Sequence, residues 1–110
     1  MKIYQVDAFT DKPFKGNPAA VCILESEPSA KWMQDVANEM NLAETAFLVP
    51  NDNGYRLRWF TPESEIDLCG HVTLASAHIL WEKGYLEKDR EAVFDTKSGM
   101  LTARYNDGWN

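Results

Sequence analysis

Basic charge is what this sequence is shortest of. Lys and Arg number 11 against 17 Asp and Glu, for a formal net charge of -6 and a sequence pI near 4.8. Nucleic acids and anionic membrane surfaces are recognised by basic faces, so neither is expected as a partner. Cysteine is scarce too: Cys22 and Cys69 are the 2 present. They cannot build the disulfide framework of a small secreted scaffold. A reduced, cytoplasmic protein is expected, and a Cys22–Cys69 bridge is the less favoured alternative. Histidine is limited to His71 and His78. Their separation exceeds the i,i+4 pair that grips zinc, and no third ligand stands near, so no metal site is expected. No apolar run approaches the ~18 residues of a membrane-spanning helix. Met1-Lys2 leads directly into alternating, strand-like sequence, so no signal peptide is expected.

What is present is ordinary globular material, 45% hydrophobic and 25% charged over 110 residues, enough for one domain. "KIYQVDAFT" alternates as a first strand does, and "DKPFKGNP" reads as a turn. "AAVCIL" is short and apolar, a buried strand. Ser29 is placed to cap a helix over 29–41, in which Trp32, Met33, Val36, Ala37 and Met40 form one apolar stripe and Asn41 suits the end. "ETAFLVP" and "YRLRWFT" flank "NDNG", a strong hairpin signal. Pro62 ends the second of these strands, and "ESEID" reads as an acidic loop. "EAVFDTKSG" and "MLTARY" make a further hairpin around Lys97, Ser98 and Gly99.

The stretch "IDLCGHVTLASAHILWEKG" stands apart. Val72 to Trp81 contains only Thr73, Ser76 and His78 as polar residues, all compact, so the helix over 71–84 belongs inside a core. The expected architecture is α+β: antiparallel strands wrapped around this central buried helix, with the helix over 29–41 outside. Asn106-Asp107-Gly108 signals one more turn, with two residues left after it. A returning strand is missing there, so truncation is favoured over a frayed tail.

Three places carry possible chemistry. Cys69, Gly70 and His71 stand at the start of the apolar helix, where unpaired N–H groups and the macrodipole favour an anion or a thiolate. Gly70 permits close backbone approach. Cys69 could equally be a packed core cysteine, and His71 a solvated or capping residue; His78 reads as a satisfied core histidine. Glu44 interrupts the apolar run Leu42, Ala43, Ala46, Phe47 and Leu48. A carboxyl in such surroundings has its charged form disfavoured and suits proton transfer; the alternative is an edge-strand residue facing water. Asn17, in Gly16-Asn17-Pro18, could point into a site or serve only the turn.

Taken together, "DAFTDKPFKGNPAAVCIL", "MQDVANEMNLAETAFLVP" and "YRLRWFTPESEIDLCGHVTLASAHIL" resemble the N-terminal half of PhzF-like proteins, the phenazine-biosynthesis isomerases and their relatives. The resemblance implies a diaminopimelate-epimerase-like fold, in which two lobes each wrap strands around a central helix and the active site lies between them. The present chain would be the N-terminal lobe, 1–110, with the C-terminal lobe absent and little turnover alone. It implies cofactor-independent isomerisation, with one glutamate moving a proton in a small carboxylated substrate. By the Asn-Leu-Ala-Glu-Thr motif that residue is Glu44. Gly70 and His71 would line the substrate pocket, and Asn17 would touch substrate as its counterpart does in related epimerases. Where phenazine enzymes commonly have Ala, this chain has Cys69, at the place of a catalytic cysteine in epimerases and racemases of the same fold. Glu44 is therefore expected as the main acid/base, with Cys69 assisting or packed. A Cys-dependent racemase or epimerase is the first alternative; a non-catalytic binding or dimerisation module is the second. A homodimer is expected.

Overall fold

The computed structural model describes residues 2–8, 17–67 and 70–105. Along these the chain runs β1 (Lys2–Ala8), β2 (Asn17–Ile23), α1 (Ala30–Met40), β3 (Glu44–Asn51), β4 (Gly54–Phe60), β5 (Glu65–Ile66), α2 (Gly70–Glu82), β6 (Ala92–Thr96) and β7 (Gly99–Ala103). The local signals account for most of these boundaries. The Ser29 hydroxyl accepts the Trp32 N–H at 3.1 Å and opens α1. Asn41, at φ 53°, closes it in the left-handed conformation. Asp52 and Asn53 turn β3 into β4, with Asn51 opposite Gly54. The Asn51 side chain accepts both the Asn53 and the Gly54 N–H, at 3.2 and 2.8 Å. Gly84, at φ 80°, follows α2, and the Leu86 N–H reaches back to the Leu80 carbonyl at 3.0 Å.

The strands form one sheet in the order β1-β2-β3-β4-β6-β7, with β5 attached to β4. It is mixed, which corrects the expectation of an antiparallel sheet: β2 pairs β3 in parallel, and β4 pairs β6 in parallel. The reason is the helices. A parallel pair needs a crossover, and each helix supplies one, α1 between β2 and β3 and α2 between β4 and β6. Both crossovers step the same way across the sheet, but β4 runs opposite to β2. Right-handed connections then require the two helices on opposite faces.

The core divides accordingly. On one face Met33 and Ala37 of α1 pack with Cys22, Leu24, Phe47, Val49 and Phe60, including an edge-to-face Phe47–Phe60 pair at 5.5 Å. Trp32, at the margin of the apolar stripe, remains 38% exposed. On the other face Val72, Ala77, Ile79, Leu80 and Trp81 of α2 meet Val21, Ala46, Leu48, Leu57, Trp59 and Phe94. β2 is buried on both sides, with Ala19 to Cys22 fully inaccessible, as its unbroken apolar run requires.

Two further expectations are corrected. The strands do not enclose α2 all round: Leu74 is 41% exposed, and the His78 and Glu82 side chains above it, 37% and 40%. One sheet covers one broad side of a helix, and positions i, i+4 and i+8 fall on the opposite stripe. His78 is thus no core histidine; its Nε2 lies 3.6 Å from Glu82, and its ring stacks on Tyr105. The "ESEID" segment is more than a loop, because Glu65 and Ile66 pair with Phe60 and Trp59.

Candidate active site

Glu44 opens β3 beside Ala19 of β2, and the neighbouring Ala43 N–H donates to the Pro18 carbonyl at 3.1 Å. Because β2 and β3 are parallel, their first residues, Asn17 and Glu44, lie at one end of the sheet. β4 runs antiparallel to β3 and finishes at that same end, with Phe60 opposite Thr45. From there β5 doubles back on β4, and the chain reaches Gly70, the first residue of α2. The beginnings of β2 and β3 and the end of β4 therefore lie at one end of the sheet, and α2 opens a few residues after β5.

Alternation along β3 sets the direction of the Glu44 side chain. Ala46 and Leu48 belong to the α2 face and Phe47 and Val49 to the α1 face, so Glu44 projects toward the α2 side. The residue is half-buried. Its Oε2 is wholly buried and has no hydrogen-bond partner among the described residues. The edge-strand alternative for Glu44 is overturned, since β3 lies between β2 and β4 in the sheet.

Gly70 is exposed, and a Cβ built on it would meet nothing within 4 Å. Packing within the described chain therefore does not demand a glycine there. The backbone of Asn17 begins β2 and pairs with Ala8. Cys69 lies outside the described residues, as do the side chains of Asn17 and His71. Cys22 is free and buried. Burial pushes its thiol up to about 11, which keeps it protonated and unsuited to nucleophilic work.

Sequence reasoning missed the supports of this region. Arg58 and Glu65 form a two-pronged ion pair, joined by Lys97 at 3.0 Å. The Arg58 hydrogen bond holds the Glu65 carboxyl below the usual carboxylate range, against the opposing effect of burial. The Ser98 hydroxyl donates to the Asp67 carbonyl at 2.8 Å, tying the β6–β7 turn to the connection that enters α2. Alternation in "RLRWF" could have put Arg56 and Arg58 on one face, but nothing local names their partners. Two more buried polar atoms without partners among the described residues, Thr45 Oγ1 and Trp59 Nε1, were likewise unforeseen.

A mixed sheet with a crossover helix on each face, carrying a half-buried carboxyl on the face of one helix, is the architecture of an epimerase-like α+β lobe. The backbone matches that of a predicted epimerase from Pseudomonas aeruginosa with a TM-score of 0.77 at 28% identity, covering 96% of this chain and 39% of that one. It matches a phenazine biosynthesis protein of the PhzF family from Enterococcus faecalis with a TM-score of 0.85 at 48% identity, covering 96% and 40%. The chain belongs to the PhzC-PhzF family of phenazine biosynthesis-like proteins, whose family model matches residues 6–109. Among its relatives, an uncharacterized isomerase of Halalkalibacterium halodurans is 61% identical over 97% of this chain and 40% of its own length. The human phenazine biosynthesis-like domain-containing protein is 50% identical over 94% and 38%. The chain thus spans about 40% of the length of the curated relatives it matches. No helix among the described residues is long and apolar enough to cross a membrane.

Proposed function

We propose that this chain is the N-terminal lobe of a two-lobe isomerase of PhzF type, and that Glu44 moves a proton between two carbons of a small carboxylated substrate. The observation that carries this reading is the Glu44 carboxyl, half-buried, with Oε2 lacking a partner among the described residues, on the α2 face at the sheet end where β2 and β3 begin. The start of α2 offers unpaired N–H groups and the positive end of its dipole to a substrate carboxylate. Gly70 leaves room there, and the family resemblance assigns His71 and Asn17 to substrate contact. The Glu44 carboxylate takes a proton from one carbon, becomes the carboxylic acid and returns the proton at another. The bonds balance without a redox partner, so no cofactor is required. A second lobe supplies the other wall of the cleft, so the isolated chain turns over little or nothing.

Proton exchange into solvent provides the test. Small cyclic and amino-acid-like carboxylates are screened with a two-lobe protein containing this sequence, in deuterated water, for deuterium incorporation and isomerised product. Glu44→Gln is expected to lower the rate by roughly 10²–10⁴-fold; an undiminished rate refutes the assignment. A Cys-dependent racemase is the second reading, favoured by Cys69 standing directly before Gly70. Cys69→Ala separates the two, because a cysteine-driven enzyme loses activity by orders of magnitude and a glutamate-driven one only modestly. The homodimer and the non-catalytic assembly module are judged by sedimentation of the 110-residue chain: a strict monomer counts against both.

A further inference from the structure

Trp59 is 1% exposed, and its indole N–H has no partner among the described residues. The other described tryptophans are accommodated differently. Trp32 stands partly in solvent, and Trp81 donates to the Arg90 carbonyl at 3.0 Å. A buried indole nitrogen is a donor only, and native cores rarely leave one idle.

Its place in the sheet suggests the reason. Trp59 lies directly opposite Ala46, and both face α2. Glu44, two residues before Ala46, falls on that face and is the diagonal neighbour of Trp59. Diagonal neighbours stand roughly 7–8 Å apart at Cα, within reach of aromatic and long side chains. The orphan donor and the orphan acceptor Glu44 Oε2 therefore share one face, on adjacent strands. Ser76, the buried hydroxyl on the neighbouring helix, already donates to the Val72 carbonyl at 2.7 Å. One chemistry serves both orphans together: an O–H group that accepts from the indole and donates to the carboxylate.

We infer that Trp59 is a positioning residue for Glu44, acting through a single shared oxygen, a bound water in the substrate-free protein. The water takes the indole N–H as acceptor and gives one of its hydrogens to Oε2. This holds the carboxyl plane at one angle to the cleft, so that the other oxygen is presented to substrate. The inference rests on the reading of Glu44 as the acid/base, but its primary test does not use activity.

The test is magnetisation transfer between water and the indole Hε1 protons of the ¹⁵N-labelled 110-residue chain, with the Trp59 resonance assigned by its loss in Trp59→Phe. A direct cross-relaxation peak from bound water is expected at Trp59 Hε1. Glu44→Leu is expected to abolish that peak and shift the resonance, while Trp81 Hε1 stays in place. Glu44→Gln, which keeps an oxygen acceptor, is expected to restore the peak. Absence of the peak in the wild-type chain overturns the inference, as does a peak that survives Glu44→Leu. The wild-type spectrum decides alone should Glu44→Leu fail to fold. In the two-lobe protein Trp59→Phe is expected to lower kcat about tenfold with KM little changed, as loss of orientation does. If the bound-water peak is found while Glu44→Gln leaves turnover intact, the acid/base reading falls and the Trp59 contact stands.

Discussion

Arg58 grips Glu65 through two parallel hydrogen bonds, Nε to Oε2 and Nη2 to Oε1, each 2.8 Å long. Their side chains are 13% and 14% exposed, and the guanidinium also lies over the Phe60 ring. Glu27 extends the set by pairing with Arg56 at 2.8 Å and Arg58 at 3.4 Å. The group joins β4, β5, the β6–β7 turn and the segment before α1, on the face away from α2. Removing one member of such a pair leaves the other desolvated. Arg58→Ala is expected to cost about 2–4 kcal/mol by urea denaturation. Arg58→Lys should recover only part, because an ammonium cannot reproduce the fork.

Glu65 also gives the pair a pH signature. Its folded-state pKa is lowered from an ordinary value of 4.5, first by the Arg58 hydrogen bond. A depressed carboxyl contributes stability that is present above its unfolded pKa and lost as pH falls through the folded one. Stability should therefore decline below pH 4.5, and more steeply in the wild type than in Glu65→Gln. Urea midpoints at successive pH values check this. Parallel curves for the two proteins would remove the ion pair as the source.

Gly54 begins β4 against the Val93 backbone of β6. A Cβ there would collide with the Val93 carbonyl oxygen, a backbone atom that cannot swing aside. The β4–β6 pairing comprises only Tyr55↔Phe94 and Arg56↔Asp95, so a small separation affects all of it. Gly54→Ala is expected to destabilise by about 2 kcal/mol and to speed amide exchange in β6 and β7 before the β1–β2 pair. Exchange that rises uniformly along the chain would count against a local clash.

Cys22 should be chemically silent in the folded protein. It is fully buried, and its thiol is raised from 9.0 to about 11 by that burial. Alkylation at mildly alkaline pH is expected to run at least about a hundredfold slower than in denaturant. Mass spectrometry after proteolysis separates its labelling from that of Cys69. Rapid native labelling at Cys22 would show that the α1 face opens readily.

Thr45 tests whether the candidate site carries a stability penalty. Its hydroxyl is fully buried and lacks a partner among the described residues, on the sheet face opposite Glu44. Valine fits the same shape without the polar atom. Thr45→Val is expected to raise stability by about 1 kcal/mol in urea or thermal unfolding. A loss of stability would mean that the hydroxyl has a partner in solution.

Much of this was readable in the linear chain because the signals are local. Ser29 caps α1 from three residues before Trp32, Asn51 closes its own hairpin, and the apolar β2 announces burial on both faces. The apolar run that Glu44 interrupts drew attention to its carboxyl, and the apolar stretch after Gly70 marked α2. Each inference needed residues only a few positions apart. The stripe through Leu74, His78 and Glu82 was not read as open, because Leu74 is apolar and His78 stands inside an otherwise apolar run that does not reveal where the sheet stops short.

By itself, then, the sequence determined the strands and helices other than β5, where they turn, and which side chains have chemistry to offer. Tertiary structure alone decided that β2–β3 and β4–β6 are parallel, that the helices take opposite faces, and that the starts of β2 and β3 share one end of the sheet. It also decided that Arg58 finds Glu65 and that Trp59 stands beside Glu44. Periodicity tells a residue which way to face but not which strand lies next to it; that choice follows from crossover handedness and the burial of both sheet faces at once.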